Sequence, residues 1–179
     1  MDQENNYVPE EIIQKALGTY IRAGTRYLKT AQIYNNGDAV RLTADFSIGQ
    51  CCYAVPNSGH FNAIESLMCL NQMFYVAWLS GIDKKYFSFC DGKVFDDYDN
   101  YYPKVYILAG EFRFRKLVDG SSFYGKIDLI PLRRTKENDK MYCRGSAGFG
   151  NDKNYESFTY KNLSCFVPIT VKNSSQIVH

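Results

Sequence analysis

The chain has 179 residues, a length that fits one compact domain and is short for two. Hydrophobic residues make up 45% of it and include 15 Tyr and 12 Phe, a composition that suits a buried core and an apolar pocket lined by a few hydroxyls. The formal net charge of +2 is too small to indicate binding to nucleic acid or to an anionic membrane surface.

The cysteine and histidine content argues against a metal site and against a disulfide scaffold. Six Cys and two His are present, and no two Cys form a CxxC pair. The first residues are acidic and polar, unlike a signal peptide, and no run approaches the ~20 apolar residues of a membrane span. We therefore expect free thiols in a reducing cytoplasm, no metal and no membrane association.

The first third of the chain predicts a helix followed by a hairpin. Residues 9–23 carry apolar side chains at helical spacing, with Pro9, Glu10 and Glu11 in the first turn and Gly24 as a stop. Two extended runs follow, at 27–34 and 39–48. An Asn-Gly pair, Asn36-Gly37, lies between them and favours a tight turn.

The rest of the chain predicts a long second helix and a set of strands. The helix is expected over 61–80, followed by a long loop over 83–104 that has no clear period. Four β-like runs come next, at 105–118, 122–134, 141–149 and 157–171, and Asp119-Gly120 predicts a hairpin between the first two. A flexible tail is expected over about 171–179.

This order of elements predicts an α+β fold of one domain, residues 1–179. A single long helix enclosed by a curved antiparallel β-sheet is the hot-dog arrangement, here with an extra N-terminal helix. No internal repeat, linker or second domain is evident from the sequence.

The second helix is apolar around most of its circumference, which predicts that protein surrounds it. Its polar residues fall on one narrow arc: Glu65, Cys69, Gln72 and Ser80. Asn71 instead lies within the apolar arc, and Tyr75 follows one turn later. A buried amide needs partners, so Asn71 either bonds to a neighbouring strand or is held ready for a ligand.

Three segments around this helix have a distinctive sequence and spacing: Cys52-Tyr53, Gly59-His60-Phe61-Asn62-Ala63-Ile64-Glu65 and Asn71-Gln72-Met73-Phe74-Tyr75. Together they closely resemble the FcoT-like thioesterase family, and weaker similarity extends over most of residues 7–170. The resemblance implies a hot-dog fold, a homo-oligomer built from dimers and long-chain acyl thioester substrates. It implies no cofactor apart from the phosphopantetheine or CoA that carries the substrate.

Relatives in this family fall into two activities. Some resemble acyl-CoA thioesterases. Others add glycine across the double bond of a 2-enoyl thioester on an acyl carrier protein, which gives a β-amino acyl product for isonitrile lipopeptide or related natural-product pathways. Hydrolysis of the thioester can follow. Of these, the resemblance favours glycine addition here, with simple hydrolysis or a non-catalytic acyl-binding domain as alternatives.

The resemblance also implies which residues form the active site: Tyr53, Asn62, Asn71, Tyr75 and Tyr20. Both chemistries place negative charge on the thioester oxygen, so Asn62 and Asn71 are candidate donors to that oxygen. The tyrosines are candidates to donate to it, to orient the nucleophile or to relay a proton. A regular helix would place the two asparagines on opposite sides, so either Asn62 precedes the regular helix, as we expect, or the two residues serve different roles.

Further candidates are substrate contacts at His60, Phe74, Trp78, Arg133 and Arg134. His60 is either a general base or a structural hydrogen-bond partner. The arginines, with Arg113, Arg115 and Arg144, are available for a glycine carboxylate, a CoA phosphate or an acidic carrier protein, or they face solvent.

Two other chemistries remain open from the sequence. Glu65 is either a carboxylate base or a helix cap. A cysteine nucleophile at Cys51, Cys52 or Cys69 would need an activating histidine, which the sequence does not indicate.

Overall fold

The computed structural model describes residues 6–50, 61–87, 106–134 and 140–168. Two helices and six strands follow in the order α1 (Glu10–Arg22), β1 (Leu28–Asn36), β2 (Ala39–Phe46), α2 (Ala63–Asp83), β3 (Tyr106–Phe114), β4 (Phe123–Arg134), β5 (Lys140–Gly150) and β6 (Phe158–Pro168). The predicted elements are all confirmed, with ends shifted by a few residues. Most of the predicted 83–104 loop and the predicted tail lie outside the described residues.

The six strands form one antiparallel sheet in the order β1-β2-β4-β5-β6-β3. Helix α2 packs against β1, β2 and β4, and α1 packs against α2. A long helix held against a single antiparallel sheet, with an added N-terminal helix, confirms the predicted hot-dog fold and its α+β class. Neither helix in the described part of the chain is long and apolar enough to cross a membrane.

The β1–β2 hairpin is confirmed, but its turn lies one residue later than predicted. Asn36 pairs with Ala39, so Gly37 and Asp38 are the central residues of the turn. Gly37 has a φ of 66°, which a glycine adopts without steric cost. The glycine therefore takes the first of the two central positions.

The hairpin predicted at Asp119-Gly120 is wrong. Strand β3 pairs with β6 at the edge of the sheet, while β4 lies between β2 and β5. The rings of Phe112 and Phe114 on β3 both pack on Phe158 of β6, with centroids 5.8 and 4.1 Å away. Aromatic packing between β3 and β6 thus outweighs the preference of Asp119-Gly120 for a hairpin. The chain turns at these two residues without pairing β3 with β4.

The orientation of α2 differs from what its apolar pattern suggests. The polar arc is buried: Glu65, Cys69, Gln72 and Ser80 are at most 1% exposed. Ile64 and Leu67, on the apolar side, are 51% and 44% exposed, and Asn71 beside them is half-buried rather than enclosed. The buried arc makes specific polar contacts with the fold, and these contacts determine which side of the helix faces inward.

Gln72 makes the most extensive of these contacts. Its Oε1 accepts hydrogen bonds from the backbone N–H groups of Tyr27 and Leu28, at 2.9 and 3.0 Å. Its Nε2 donates to the carbonyl oxygen of Thr25 at 2.8 Å. The residue therefore joins α2 to the segment that connects α1 with β1 through both ends of its amide.

We expect Gln72→Leu to lower the free energy of unfolding by about 3 kcal/mol, because it leaves three backbone groups buried without partners. Urea denaturation followed by circular dichroism measures this. Gln14→Leu is the matched control, since Gln14 is exposed and bonds only with Glu10 on its own helix. Equal losses in the two variants would contradict a structural role for Gln72.

Candidate active site

Asn62 is the N-cap of α2. Its backbone is extended, with φ −125° and ψ −171°, so it precedes the regular helix as predicted. Its side-chain Oδ1 accepts from the N–H of Ile64 at 2.9 Å and from that of Glu65 at 3.4 Å. The capping hydrogen bonds are accepted by the side-chain oxygen of Asn62. The side-chain nitrogen is the atom of this residue that can donate a hydrogen bond to a substrate oxygen.

Glu65 completes a capping box with Asn62. The N–H of Asn62 donates to Glu65 Oε2 at 3.0 Å, which confirms the interpretation of this carboxylate as a cap. The residue is 1% exposed, and its second oxygen, Oε1, has no hydrogen-bond partner. Such burial removes it from direct contact with a substrate and fixes the backbone that carries Asn62.

Tyr20 and Tyr75 are brought together across the two helices. Their ring centroids lie 6.3 Å apart at an angle of 52°. Tyr75 is 7% exposed and Tyr20 is half-buried against the core. The two predicted tyrosines, 55 positions apart in the chain, therefore form one aromatic contact at the α1–α2 junction.

Asn71 lies one helical turn before Tyr75 on α2, so the two side chains are neighbours on the helix surface. The Asn71 amide is half-buried and makes no hydrogen bond within the part of the chain that the structure describes. The sheet partner that would give Asn71 a purely structural role is not found among these residues. An amide in this position retains its capacity to donate to a ligand.

Leu70 and Phe74 of α2 line one side of a small apolar cleft that has room for about one water molecule. Strand residues line the rest: Ile107, Ile127, Leu129, Gly145, Leu163, Ser164 and Cys165. The described lining of this cleft does not include Asn71, Tyr75 or Tyr20. Phe74 therefore lies in the apolar interior between α2 and the sheet, and its contact with substrate stays a prediction.

The other predicted residues lie elsewhere or outside the described part of the chain. Trp78 is 3% exposed and packs on Phe87, with ring centroids 4.7 Å apart, so its contacts are those of a core residue. Arg133 and Arg134 end strand β4, where their backbones pair with β5. Tyr53 and His60 lie outside the described residues, as do Cys51 and Cys52.

Sequence reasoning missed a buried polar contact between Ser66 and Tyr160. Their hydroxyl oxygens are 2.8 Å apart, and Ser66 Oγ also donates to the carbonyl of Ala63. Burial raises the pKa of Tyr160, and its hydrogen bond with Ser66 opposes that rise. The partners are 94 positions apart on a helix and a strand, so no local pattern indicates them.

Cys69 is fully buried, and burial together with the nearby Glu65 carboxylate raises its pKa well above the usual range for a thiol. A thiol held neutral and out of solvent is a poor nucleophile, which argues against nucleophilic catalysis by Cys69. Within the described ranges, no three His, Cys, Asp or Glu side chains form a group suited to a metal ion.

An antiparallel sheet packed on a long central helix defines the class of hot-dog proteins. The model of the FcoT-like thioesterase domain matches residues 15–153, which is most of the chain. The protein therefore belongs to the FcoT-like thioesterase family.

Proteins of several organisms are similar to this chain in sequence or in fold. A protein of Mycobacterium tuberculosis named (2E)-enoyl-[ACP] glycyltransferase is 31% identical over 140 residues, which cover 76% of each chain. A protein of the same name from Mycobacterium marinum is 26% identical over 127 residues, covering 70% of this chain and 68% of the relative. A solved thioesterase from Pseudomonas aeruginosa is 10% identical with a TM-score of 0.46, covering 90% of this chain and 96% of that one.

Proposed function

We propose that the protein adds glycine to a 2-enoyl thioester and forms a β-amino acyl thioester. The names and sequence identity of its relatives support this reaction over simple hydrolysis. The observation in the site that carries the proposal is the contact of Tyr75 with Tyr20 across the two helices, with Asn71 one turn before Tyr75 on α2. Hydrolysis of the thioester is the second activity that the same donors would support.

The two reactions share one electrostatic requirement. In glycine addition, the neutral amine nitrogen bonds to the β-carbon, and the electrons of the double bond move through the α-carbon onto the thioester oxygen. The proton that the amine loses is returned to the α-carbon, so no proton is gained or lost overall. In hydrolysis, water attacks the carbonyl carbon and the charge collects on the same oxygen before the C–S bond breaks. Neutral donors in a dry site stabilise both intermediates.

In our proposal, different residues stabilise the charge on the thioester oxygen and handle the nucleophile and the proton. Asn71 donates to the thioester oxygen from the outer side of α2, and Asn62, nine residues earlier at the N-cap, makes a separate contact with the substrate. Tyr75 and Tyr20 orient the nucleophile or relay the proton to the α-carbon, and Tyr53 is expected to join them. Burial of Tyr75 keeps water away from that transfer.

The substrate would arrive on the phosphopantetheine of a carrier protein or on CoA, and the enzyme itself would need no further cofactor. Arg115 and Arg144 are exposed and are available for an acidic carrier or a phosphate, whereas Arg113 lies on the edge strand β3. The described cysteines, Cys69, Cys143 and Cys165, are free thiols, which fits a cytoplasmic enzyme of natural-product biosynthesis.

We also propose that the enzyme is a dimer joined through β3. This strand is the edge of the sheet, and its residues are exposed on both faces from 107 to 114. Phe112 and Leu108 are 53% and 52% exposed, which a lone edge strand would not tolerate in water without risk of aggregation. A second copy of the same strand would cover them.

The charges on β3 favour a two-fold axis at Phe112 over one at either neighbouring residue. Antiparallel contact about a two-fold axis at Phe112 places Glu111 opposite Arg113 of the other copy, and the reverse. An axis at Glu111 or at Arg113 would instead place two like charges opposite each other. The strand is therefore complementary to itself about Phe112, and this pairing would extend the sheet across two copies.

Product mass distinguishes glycine addition from hydrolysis. A 2-enoyl carrier-protein thioester incubated with the enzyme and glycine should gain the mass of one glycine, because the amine adds across the double bond without loss of atoms. Omitting glycine and substituting alanine are the controls. Release of free thiol at a rate indifferent to glycine would leave the protein a thioesterase and remove the proposed addition.

Asn71→Ala and Tyr75→Phe should each lower turnover at least tenfold, or about 1.4 kcal/mol in the activation barrier. The first removes a donor to the charged oxygen, and the second removes a hydroxyl while keeping the ring that packs on Tyr20. Asn35→Ala and Tyr124→Phe are matched controls on strands outside the site. Wild-type rates in both site variants would exclude these two residues from the mechanism.

Charge reversal tests the β3 dimer. Glu111→Arg and Arg113→Glu should each shift the protein towards monomer in analytical ultracentrifugation, since each places like charges opposite one another. The double variant should restore the dimer with the charges exchanged, while Arg115→Glu, which faces Ala109 in this register, should remain dimeric. A monomeric wild-type enzyme, or a dimer indifferent to all these changes, would contradict the interface.

A further inference from the structure

The chain leaves β3 through a short exposed stretch, Arg115, Lys116 and Leu117, which we call the 115–117 segment. Leu117 is 84% exposed, more than any other large hydrophobic side chain in the described part of the chain. Arg115 and Lys116 are exposed as well, and neither side chain forms an ion pair with a described residue. The segment therefore offers both positive charge and apolar area to a partner.

The backbone of the 115–117 segment is fixed by hydrogen bonds at both ends. The N–H groups of its first two residues both donate to the carbonyl oxygen of Ser157, at 2.8 and 3.1 Å. Directly after the segment, Val118 is 3% exposed, and its carbonyl oxygen accepts from the N–H of Phe61 at 3.5 Å. The fold thus holds Leu117 in solvent, and a partner that covers it would not need to order this backbone first.

The contact between Val118 and Phe61 also places the segment beside the N-terminus of α2. Phe61 directly precedes Asn62, the N-cap of the helix and a candidate substrate contact. Asn71 lies about 14 Å further along the helix axis, at 1.5 Å per residue. An extended phosphopantetheine arm is longer than this distance, so an arm that starts at the 115–117 segment can reach the candidate site.

We propose that the 115–117 segment is the docking surface for an acidic acyl carrier protein that delivers the substrate. This inference rests on the proposed function. A carrier of this kind surrounds the serine that bears its phosphopantetheine with carboxylates and a few apolar side chains, which complement two cations and a leucine. Strand β3 ends at Phe114, so the segment lies beyond the strand proposed to pair with a second copy.

The other exposed arginine available for a carrier, Arg144, belongs to a separate surface. It pairs with Ser164 of β6, whereas the 115–117 segment is bonded to Ser157, just before the start of that strand. Seven residues of extended chain separate these two positions by roughly 20 Å. Charge reversal at Arg144 and at the segment therefore tests two different docking positions.

Variants of the segment should weaken binding of the carrier protein and leave binding of a small substrate analogue unchanged. Arg115→Glu and Lys116→Glu should each weaken carrier binding at least tenfold, because each places a carboxylate against those of the carrier. Leu117→Ser should weaken it about tenfold, because an apolar contact is lost. Lys29→Glu, which reverses an exposed cation on β1, is the matched control and should bind the carrier as wild type does.

Calorimetry with two probes measures this: an acyl carrier protein whose phosphopantetheine bears an S-octyl thioether, and S-octyl pantetheine alone. The second probe has neither the carrier nor a phosphate, so it reports on the acyl site without the docking surface. Weaker carrier binding in the three segment variants, with S-octyl pantetheine bound as by wild type, supports the inference.

Four outcomes overturn the inference. They are carrier binding indifferent to the three variants, equal losses for both probes, a loss confined to Arg144→Glu, and a wild-type enzyme that binds the carrier no more tightly than S-octyl pantetheine. Binding of phosphatidylglycerol vesicles that depends on the segment, while carrier binding does not, assigns the surface to a lipid instead. Failure of the proposed function appears separately, as a carrier thioester that binds through the segment but gains no glycine and releases no thiol.

Discussion

The three hydrogen bonds of Gln72 are the constraint on which the position of the site depends. They fasten the middle of α2 to Thr25, Tyr27 and Leu28, the segment through which α1 leads into β1. A buried amide bonded to backbone on both its oxygen and its nitrogen defines the rotation of the helix, because few other rotations would satisfy it. The same link holds the end of α1 against α2.

The placement of the catalytic candidates follows from that rotation. With Gln72 turned inward, the adjacent Asn71 is carried to the outer side of α2, where it is half-buried. Because α1 ends near the same link, Tyr20 reaches Tyr75. The capping box of Asn62 and Glu65 then fixes the first turn of the helix. A site built from neutral donors is thus positioned by buried polar groups that take no part in its chemistry.

The polar interior of this fold also narrows the range of mechanisms. The described thiol on α2, Cys69, is buried with a raised pKa, and the carboxylate Glu65 is occupied as a cap. The candidate groups that remain on α1 and α2 are the Asn71 amide and the phenols of Tyr20 and Tyr75, which stabilise developing charge rather than form a covalent intermediate. An oxyanion or enolate on an acyl thioester is the charge that such a set of donors fits.

The sequence by itself determined the order of elements, the fold class and the family, because helical period, strand alternation and a few spaced residues are local properties of the chain. It also predicted that Asn62 precedes the helix, since a capping box lies within four residues. The tertiary structure alone decided the partner of β3, the contact of Tyr20 with Tyr75 and the pairing of Ser66 with Tyr160. It also reversed the expected environment of α2, because Glu65 and Gln72 are buried and Ile64 is exposed. The hydrophobic pattern of a nearly all-apolar helix does not specify the rotation of that helix about its axis. Hydrogen bonds to segments distant in sequence do specify it.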